Sequence, residues 1–379
     1  MANKRKKIRV AFRKNRHKRR RDNNLTHQVL DEDTGATDHL SGERISGKGD
    51  LSRHRTVMAE EAADGSVVLD VDLSQCRRGR VLSSVGLNSM VQAEDGTVFE
   101  CTVRRILRTL AHNKRNAVVA GDHVLFQPQG DEHQAVIERV EPRHGILSRS
   151  SRYREHILVA NVDQALIVVS AIDPPLKPGL IDRFLISTEK GEVHGIVCIN
   201  KADLASQADL QPVIGTYAQL GYDVVLTSAT TGAGLDRLCS LLRDRETVFS
   251  GQSGVGKSSL LNRIQPGLGL KIGEVSTWTG KGRHTTRRTE LLPLDMGGWV
   301  VDTPGIRQLE LWDVIPEEVE GYYPEFRPFV AHCRFPDCTH AHEEGCGVKR
   351  AVSEHLIPHT RYQSFLRIVS GDIDDMPSR

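Results

Sequence analysis

The chain has 379 residues, more than twice the roughly 150 usual for one domain, so two or three domains are expected. Hydrophobic residues at 38% and charged residues at 26% fit a soluble globular protein, and no apolar run approaches the ~20 residues of a membrane helix, which excludes a spanning segment. The formal net charge of +2 hides an uneven distribution. Residues 1–21 hold twelve Lys/Arg and no acid, which leaves 39 basic against 49 acidic residues, a net of −10, for the rest.

The arm has no apolar stretch of signal-peptide length, so a cytoplasmic protein is expected. A like-charged block repels itself and stays disordered until it meets a polyanion. Nucleic acid suits it better than an anionic membrane, because the stretch lacks an apolar helical face. A merely solubilising tail is the plainer alternative; a transit peptide is opposed by the scarcity of Ser and by the Lys content. Residues 22–80 carry twelve acids with much Ser, Gly and Thr, and the whole of 1–80 reads as a disordered extension, save a short strand at Val67–Leu73.

From about Val81 short apolar runs recur at Met90–Val91, Val98–Val103, Ala117–Val119, Val124–Phe126 and Ala135–Val140, punctuated by Asp95-Gly96 and Gly121-Asp122. About five short strands over 81–150 predict a small barrel, and the OB-fold is the commonest such barrel on nucleic acid. Arg104, Arg105, Arg108, Lys114 and Arg115 cluster there, as an RNA surface or as a solvated face. Over 151–312 strand runs (Ala165–Ser170, Gly195–Ile199, Val224–Leu226, Thr247–Phe249, Trp299–Val301) alternate with helical patterns (Leu180–Glu189, Leu210–Leu220, Leu235–Leu242). That alternation is the α/β signature of a parallel sheet with covering helices. The remaining 313–379 is aromatic and Pro-rich at first, then Cys-rich, then helical at Val348–His355 and Thr360–Val369.

Gly251-Gln252-Ser253-Gly254-Val255-Gly256-Lys257-Ser258 is a complete GxxxxGK[ST] phosphate loop, with Ser259 following, between the strand end Val248-Phe249 and a helix with Leu260, Leu261 and Ile264 on one face. The glycines let backbone N–H groups cradle phosphates. Lys257 is expected to reach the β/γ-phosphates and Ser258 to ligate Mg²⁺. Asn200-Lys201-Ala202-Asp203 follows a strand, as the NKxD of guanine-specific NTPases does. Asp203 would accept from guanine N1–H and the 2-amino group; adenine lacks both donors and would leave the carboxylate unpaired. Asn200 would hold the loop and Lys201 cover the ring, although the tetrapeptide alone is also a common surface turn. Ser228-Ala229 supplies the partner loop for guanine O6. Asp302-Thr303-Pro304-Gly305 is a DxxG in which Asp302 would hold Mg²⁺ through water and the Gly305 N–H sense the γ-phosphate. The Gly-rich basic segment Gly280–Thr286 lies between the two, with Thr286 the candidate second Mg²⁺ ligand.

The base-recognition motifs precede the phosphate loop, the reverse of an ordinary GTPase, so a circular permutation is implied, feasible where domain termini lie close together. Ile306 follows DxxG where Ras-like enzymes use a water-orienting glutamine; His284 is the candidate replacement, or it merely contacts RNA or solvent.

Seven cysteines, an odd number, argue against a disulfide framework. Cys101, Cys198 and Cys239 sit in apolar segments and read as buried thiols, while Cys76 is isolated. Cys333, Cys338, His340 and Cys346 offer a Cys₃His set suited to one structural zinc; Asp337, His342 and His332 are less economical ligands.

The order NKAD, SA, GQSGVGKSS, GKGRHTT and DTPG, followed by Cys-x₄-Cys-x-His-x₅-Cys, resembles the RsgA (YjeQ/YloQ) family of circularly permuted GTPases, over about residues 81–370. The resemblance implies an all-β OB-fold barrel, an α/β permuted P-loop GTPase domain and a small C-terminal zinc-binding α domain. It implies zinc on Cys333, Cys338, His340 and Cys346, a hydrolytic role for His284, and GTP hydrolysis stimulated by the small ribosomal subunit, whose late maturation the family assists. The long charged extension departs from the family pattern. The partners expected are the small subunit with its rRNA and GTP/GDP, with no membrane and the protein a monomer. A GTP-switched RNA-binding protein with little productive hydrolysis, or a permuted GTPase on another ribonucleoprotein, are the alternatives.

Overall fold

The computed structural model describes residues 6–11, 54–61, 67–69, 71, 73–110, 117–130, 133–151, 154–268, 289–302 and 316–371. Within the extension three strands, β1 (Lys6–Ala11), β2 (His54–Glu61) and β3 (Val67–Leu69), form an antiparallel sheet in that order, so the stretch read as disordered is in part paired. The alternation of Ile8 and Val10 with cations, and β-branched Thr56 and Val57, favour extended backbone. The strand expected at Val67–Leu73 stops at Leu69, and a 3₁₀ turn covers Leu73–Gln75.

A barrel follows. Strands β4 (Arg77–Val85), β5 (Asn88–Ala93) and β6 (Val98–Val103) lead through α1 (Arg105–Leu110) to β7 (His123–Pro128) and β8 (Gln134–Val140). The order β4-β5-β6-β8-β7 closes by a β4–β7 pairing into five strands around Val81, Val91, Phe99, Cys101, Phe126 and Ile137. The barrel starts at Arg77, ahead of the expected Val81. Ala117–Val119 is no strand: the Asp122 carboxylate takes the Val119 amide (2.8 Å) and is itself clamped by Arg143 Nε and Nη2 (2.6 and 2.7 Å). A hairpin unread in the sequence, β9 (Leu147–Ser151) and β10 (Arg154–Val159), leads out of the barrel.

The α/β layer holds β11 (Gln164–Ser170), α2 (Pro178–Lys190), β12 (His194–Asn200), α3 (Gln207–Gln219), β13 (Asp223–Leu226), α4 (Leu235–Leu242) and β14 (Glu246–Ser250). Then come α5 (Lys257–Ile264), β15 (Glu290–Pro293) and β16 (Trp299–Asp302). Strand order is β13-β12-β11-β14-β16-β15, parallel except for β15. All seven residues of β11 are buried, because helices cover both faces. Ile167 and Val169 pack with Ile181 and Leu185 of α2 on one side, and Leu166 and Val168 with Leu238 and Leu260 on the other.

Barrel and sheet meet where Glu290 of β15 pairs Ser83 of β4. Arg80 of β4 adds an ion pair to Glu246 and lies 5.4 Å over the Trp299 ring. The C-terminal module runs from a 3₁₀ helix (Pro316–Tyr322) through α6 (Arg327–Val330), α7 (Gly347–Ser353) and α8 (His359–Ser370). Its core of Val319, Tyr323, Phe326, Val348 and Phe365 includes Ile186 of α2, so it packs directly on the α/β layer. Among the described residues no helix is long and apolar enough to cross a membrane.

Candidate functional site

The phosphate loop joins β14 to α5, and two of its glycines, Gly251 and Gly256, sit where a side chain does not fit. Gly251 has φ 138°, and a Cβ there would lie 2.0 Å from the Val168 carbonyl of the neighbouring strand. Gly256 has φ 98°, and a Cβ there would lie 2.4 Å from Asn200 Nδ2. Gln252, Gly256, Lys257, Ser258 and Ser259 are half-buried, Ser253 and Gly254 exposed, and Gly251 and Val255 buried. Lys257 Nζ donates to the carbonyls of Gly251 and Gln252, 2.6 Å each, so its ammonium lies across the loop.

The NKAD stretch is brought to this loop because β12 and β14 both flank β11 in parallel. Asn200 is 1% exposed; its Nδ2 donates to Val255 O (2.8 Å) and its Oδ1 accepts from Thr227 Oγ1 (3.2 Å). Lys201 adopts φ 59° and its Nζ donates to Asp173 O (2.5 Å) in the β11–α2 loop. Asp203 is exposed in the short 3₁₀ turn Ala202–Leu204, and the Ala202 amide donates to Thr227 O (3.0 Å). Ser228 Oγ accepts from the Thr231 amide (3.1 Å), and the Ser228 amide donates to Ala233 O (3.0 Å), which folds the Ser228-Ala229 loop beside NKAD.

Thr227 and Asp173 were not read as site residues. Thr227 bridges Asn200 and Cys198 (Sγ···Oγ1 3.3 Å), a role visible only once β12 and β13 are paired. Burial pushes the Cys198 thiol up to about 12, so it packs as a neutral group. Cys101 is buried as expected, whereas Cys239 is half-buried. Asp302 ends β16, with its backbone opposite Glu290. The segment Gly280–Thr286 with His284 and Thr286, as well as Gly305 and Ile306, lies outside the described residues, as do Lys114 and Arg115 of the basic cluster. Arg104 of that cluster is ion-paired to Glu138.

The Cys₃His residues converge. One ligand atom from each of Cys333, Cys338, His340 and Cys346 lies within 4.8 Å of every other. The backbone aims donors at the sulfurs: Gly347 N to Cys333 Sγ (3.3 Å) and Lys349 N to Cys346 Sγ (3.4 Å). A Cβ at Gly347 would lie 2.3 Å from Phe329 O, so the turn that delivers its amide requires glycine. Burial and the neighbouring thiols push the Cys338 thiol up to about 12, and a coordinated divalent cation is what would favour its thiolate there. A soft, buried, four-donor set without an open position fits structural zinc.

A family model described as RsgA GTPase matches residues 140–312. The small ribosomal subunit biogenesis GTPase RsgA of Alkaliphilus metalliredigens is 40% identical over 277 residues, covering 73% of this chain and 91% of that protein. The chain belongs to the RsgA family. RsgA of Moorella thermoacetica is 41% identical over 292 residues, 77% of this chain and 96% of its own. Among solved RsgA relatives, YjeQ from Thermotoga maritima superposes with TM-score 0.64 at 36% identity, covering 80% of this chain and 100% of that one. YloQ, a circularly permuted GTPase, superposes with TM-score 0.60 at 30% identity, covering 82% and 100%. As an RsgA-family member this chain is a GTPase, built as an OB-like barrel, a permuted GTPase domain and a C-terminal module bearing a Cys₃His cluster.

Proposed function

We propose that this protein hydrolyses GTP in a manner stimulated by the small ribosomal subunit and assists late maturation of that subunit. The observation that carries the nucleotide assignment is the bond from Asn200 Nδ2 to Val255 O, which fastens the base-recognition loop to the phosphate loop. Asp203 accepts from guanine, the Ala229 amide meets guanine O6, and Lys201 covers the ring. The amides of 251–259 and Lys257 take the phosphates. Ser258, Thr286 and Asp302 would hold Mg²⁺, which would neutralise charge on the β/γ-phosphate oxygens. Lys257 exchanges its two loop carbonyls for phosphate oxygens. The Gly305 amide senses the γ-phosphate, and His284 orients the attacking water that Ile306 cannot.

The DxxG segment runs directly into the C-terminal module, so a γ-phosphate-dependent movement is passed on covalently. Cys333, Cys338, His340 and Cys346 would hold a zinc ion, which would cross-link the module and make it rigid. rRNA docks on the barrel, the module and the basic arm. A cleft of ≈ 510 Å³ between α2 and α8, lined by Lys177, Arg183 and Arg367 and by no acid, supports an RNA surface at the module.

Steady-state GTP turnover with and without purified small subunits tests the reading. We expect marked stimulation by the subunit and loss of the stimulated rate in His284→Ala. Equal turnover in both conditions would overturn the subunit assignment, and an unchanged stimulated rate in His284→Ala would remove that residue from the chemistry.

A further inference from the structure

The His340 imidazole is 1% exposed and faces a different polar environment at each ring nitrogen. Nδ1 lies 3.5 Å from Cys333 Sγ and 3.3 Å from Cys346 Sγ, inside the thiol cluster. Nε2 points the other way and lies 3.0 Å from Glu320 Oε2. A neutral imidazole carries one proton, and a nitrogen that binds metal must offer its lone pair. With Nδ1 turned to the sulfurs, the proton belongs on Nε2, where the carboxylate waits.

We propose that Glu320 is a positioning residue of the metal centre: it accepts the Nε2–H of His340 and so fixes the tautomer and ring orientation that present Nδ1 among the three thiolates. The proposal rests on the reading of Cys333, Cys338, His340 and Cys346 as a metal site. Outer carboxylates of this kind orient a ligating histidine and raise its basicity. The Nε2 atom is buried from water and has no aligned hydrogen-bond partner as the ring stands; Glu320 Oε2 at 3.0 Å is the carboxylate within reach, and an N–H left without an acceptor there would carry the full cost of an unpaired donor.

The surroundings support the role. The rings of Phe326 (centroids 6.1 Å apart, 84°) and Phe365 (6.2 Å, 49°) flank the imidazole and supply no acceptor. The His340 carbonyl is held by Tyr362 OH (2.7 Å), which anchors the backbone and leaves ring rotation to be settled by Glu320. Val319 and Tyr323, on either side of Glu320, are fully buried, which sets its register on the 3₁₀ helix. Glu318 on the same helix serves another purpose, a surface contact to Lys190 Nζ at 3.3 Å.

Zinc affinity of the full-length protein, measured by competition with a chromophoric chelator, tests the assignment. Glu320→Ala is expected to weaken zinc binding by about 10–100-fold. Glu320→Gln, whose amide oxygen still accepts from Nε2–H, is expected to recover most of that loss, and Glu318→Ala to leave affinity unchanged. GTP affinity equal to that of the unaltered protein verifies folding of each variant. Should Glu320→Ala not fold, ¹⁵N shifts of His340 in the unaltered protein carry the test: we expect metal-bound Nδ1 and protonated Nε2, and the reverse tautomer overturns the proposal. Zinc affinity in Glu320→Ala equal to the unaltered protein overturns it while leaving the metal centre intact. An unaltered protein that retains no zinc overturns both.

Discussion

Asn200 shows how much one side chain can carry. It is buried, donates to a phosphate-loop carbonyl and accepts from Thr227, so it ties the phosphate loop to the end of β13. Asn200→Ala removes the side-chain donor to the Val255 carbonyl and leaves the Thr227 hydroxyl with Cys198 Sγ alone, at a cost of about 1–3 kcal/mol. We expect a lower melting temperature together with weaker GTP binding by calorimetry; a stability loss with unchanged GTP affinity would contradict the coupling. Asp203 is exposed, so Asp203→Asn should leave the fold intact while weakening GTP roughly 10–100-fold, through loss of charge-assisted bonds to guanine. Undiminished affinity would overturn the guanine assignment. The motif residues were legible because their chemistry demands fixed spacing within one loop. Thr227, Asp173 and Glu320 were not, because each acts on a partner distant in sequence.

Between elements, the seam of α2 with α8 is held by charge. Arg361 of α8 is 1% exposed, bonds Asp182 of α2 through Nη1 (2.6 Å) and Glu325 through Nε (2.6 Å), and stacks 4.3 Å over Tyr323. Tyr217 OH of α3 donates to the same Asp182 oxygen (2.8 Å). Burial raises the Asp182 carboxyl pKa, and Arg361 opposes that rise. Removing the cation strands two buried carboxylates, so Arg361→Ala should cost about 3–5 kcal/mol in denaturant unfolding. A loss below about 1 kcal/mol would show the seam to rest on apolar contact alone. The strands of the α/β layer were readable as apolar runs because helices cover both faces of the sheet. Strand β4 was missed because Arg77, Arg78 and Arg80 mask its pattern: Arg80 is spent on Glu246 and Arg77 on Asp95. Strand β15, four residues long and antiparallel, carries too little pattern to read.

At the scale of the whole molecule, a body with a net charge of −10 bears an arm of twelve cations. RNA affinity should fall steeply with salt, by ~0.7–0.9 log units per phosphate neutralised for each log unit of salt. Deleting residues 1–21 removes β1 as well as the charge, yet the β1-β2-β3 sheet is separate from the one that carries the phosphate loop. We therefore expect a flatter salt slope for binding to small subunits with GTP affinity unchanged; an unaltered slope would leave the arm no part in docking.

The sequence alone determined the guanine-nucleotide chemistry, the permuted order of its motifs, the Cys₃His donor set and the split of charge between arm and body. Each depends on residue identity at short, fixed spacing. Only the tertiary structure decided what these parts rest on: Asn200 against Val255, Glu320 against His340, Arg361 against Asp182 and Arg80 against Glu246. Those contacts are made by polar groups with no periodicity to betray them. They become pairs when strand order and helix packing bring distant segments together and exclude the water that would otherwise satisfy each one separately.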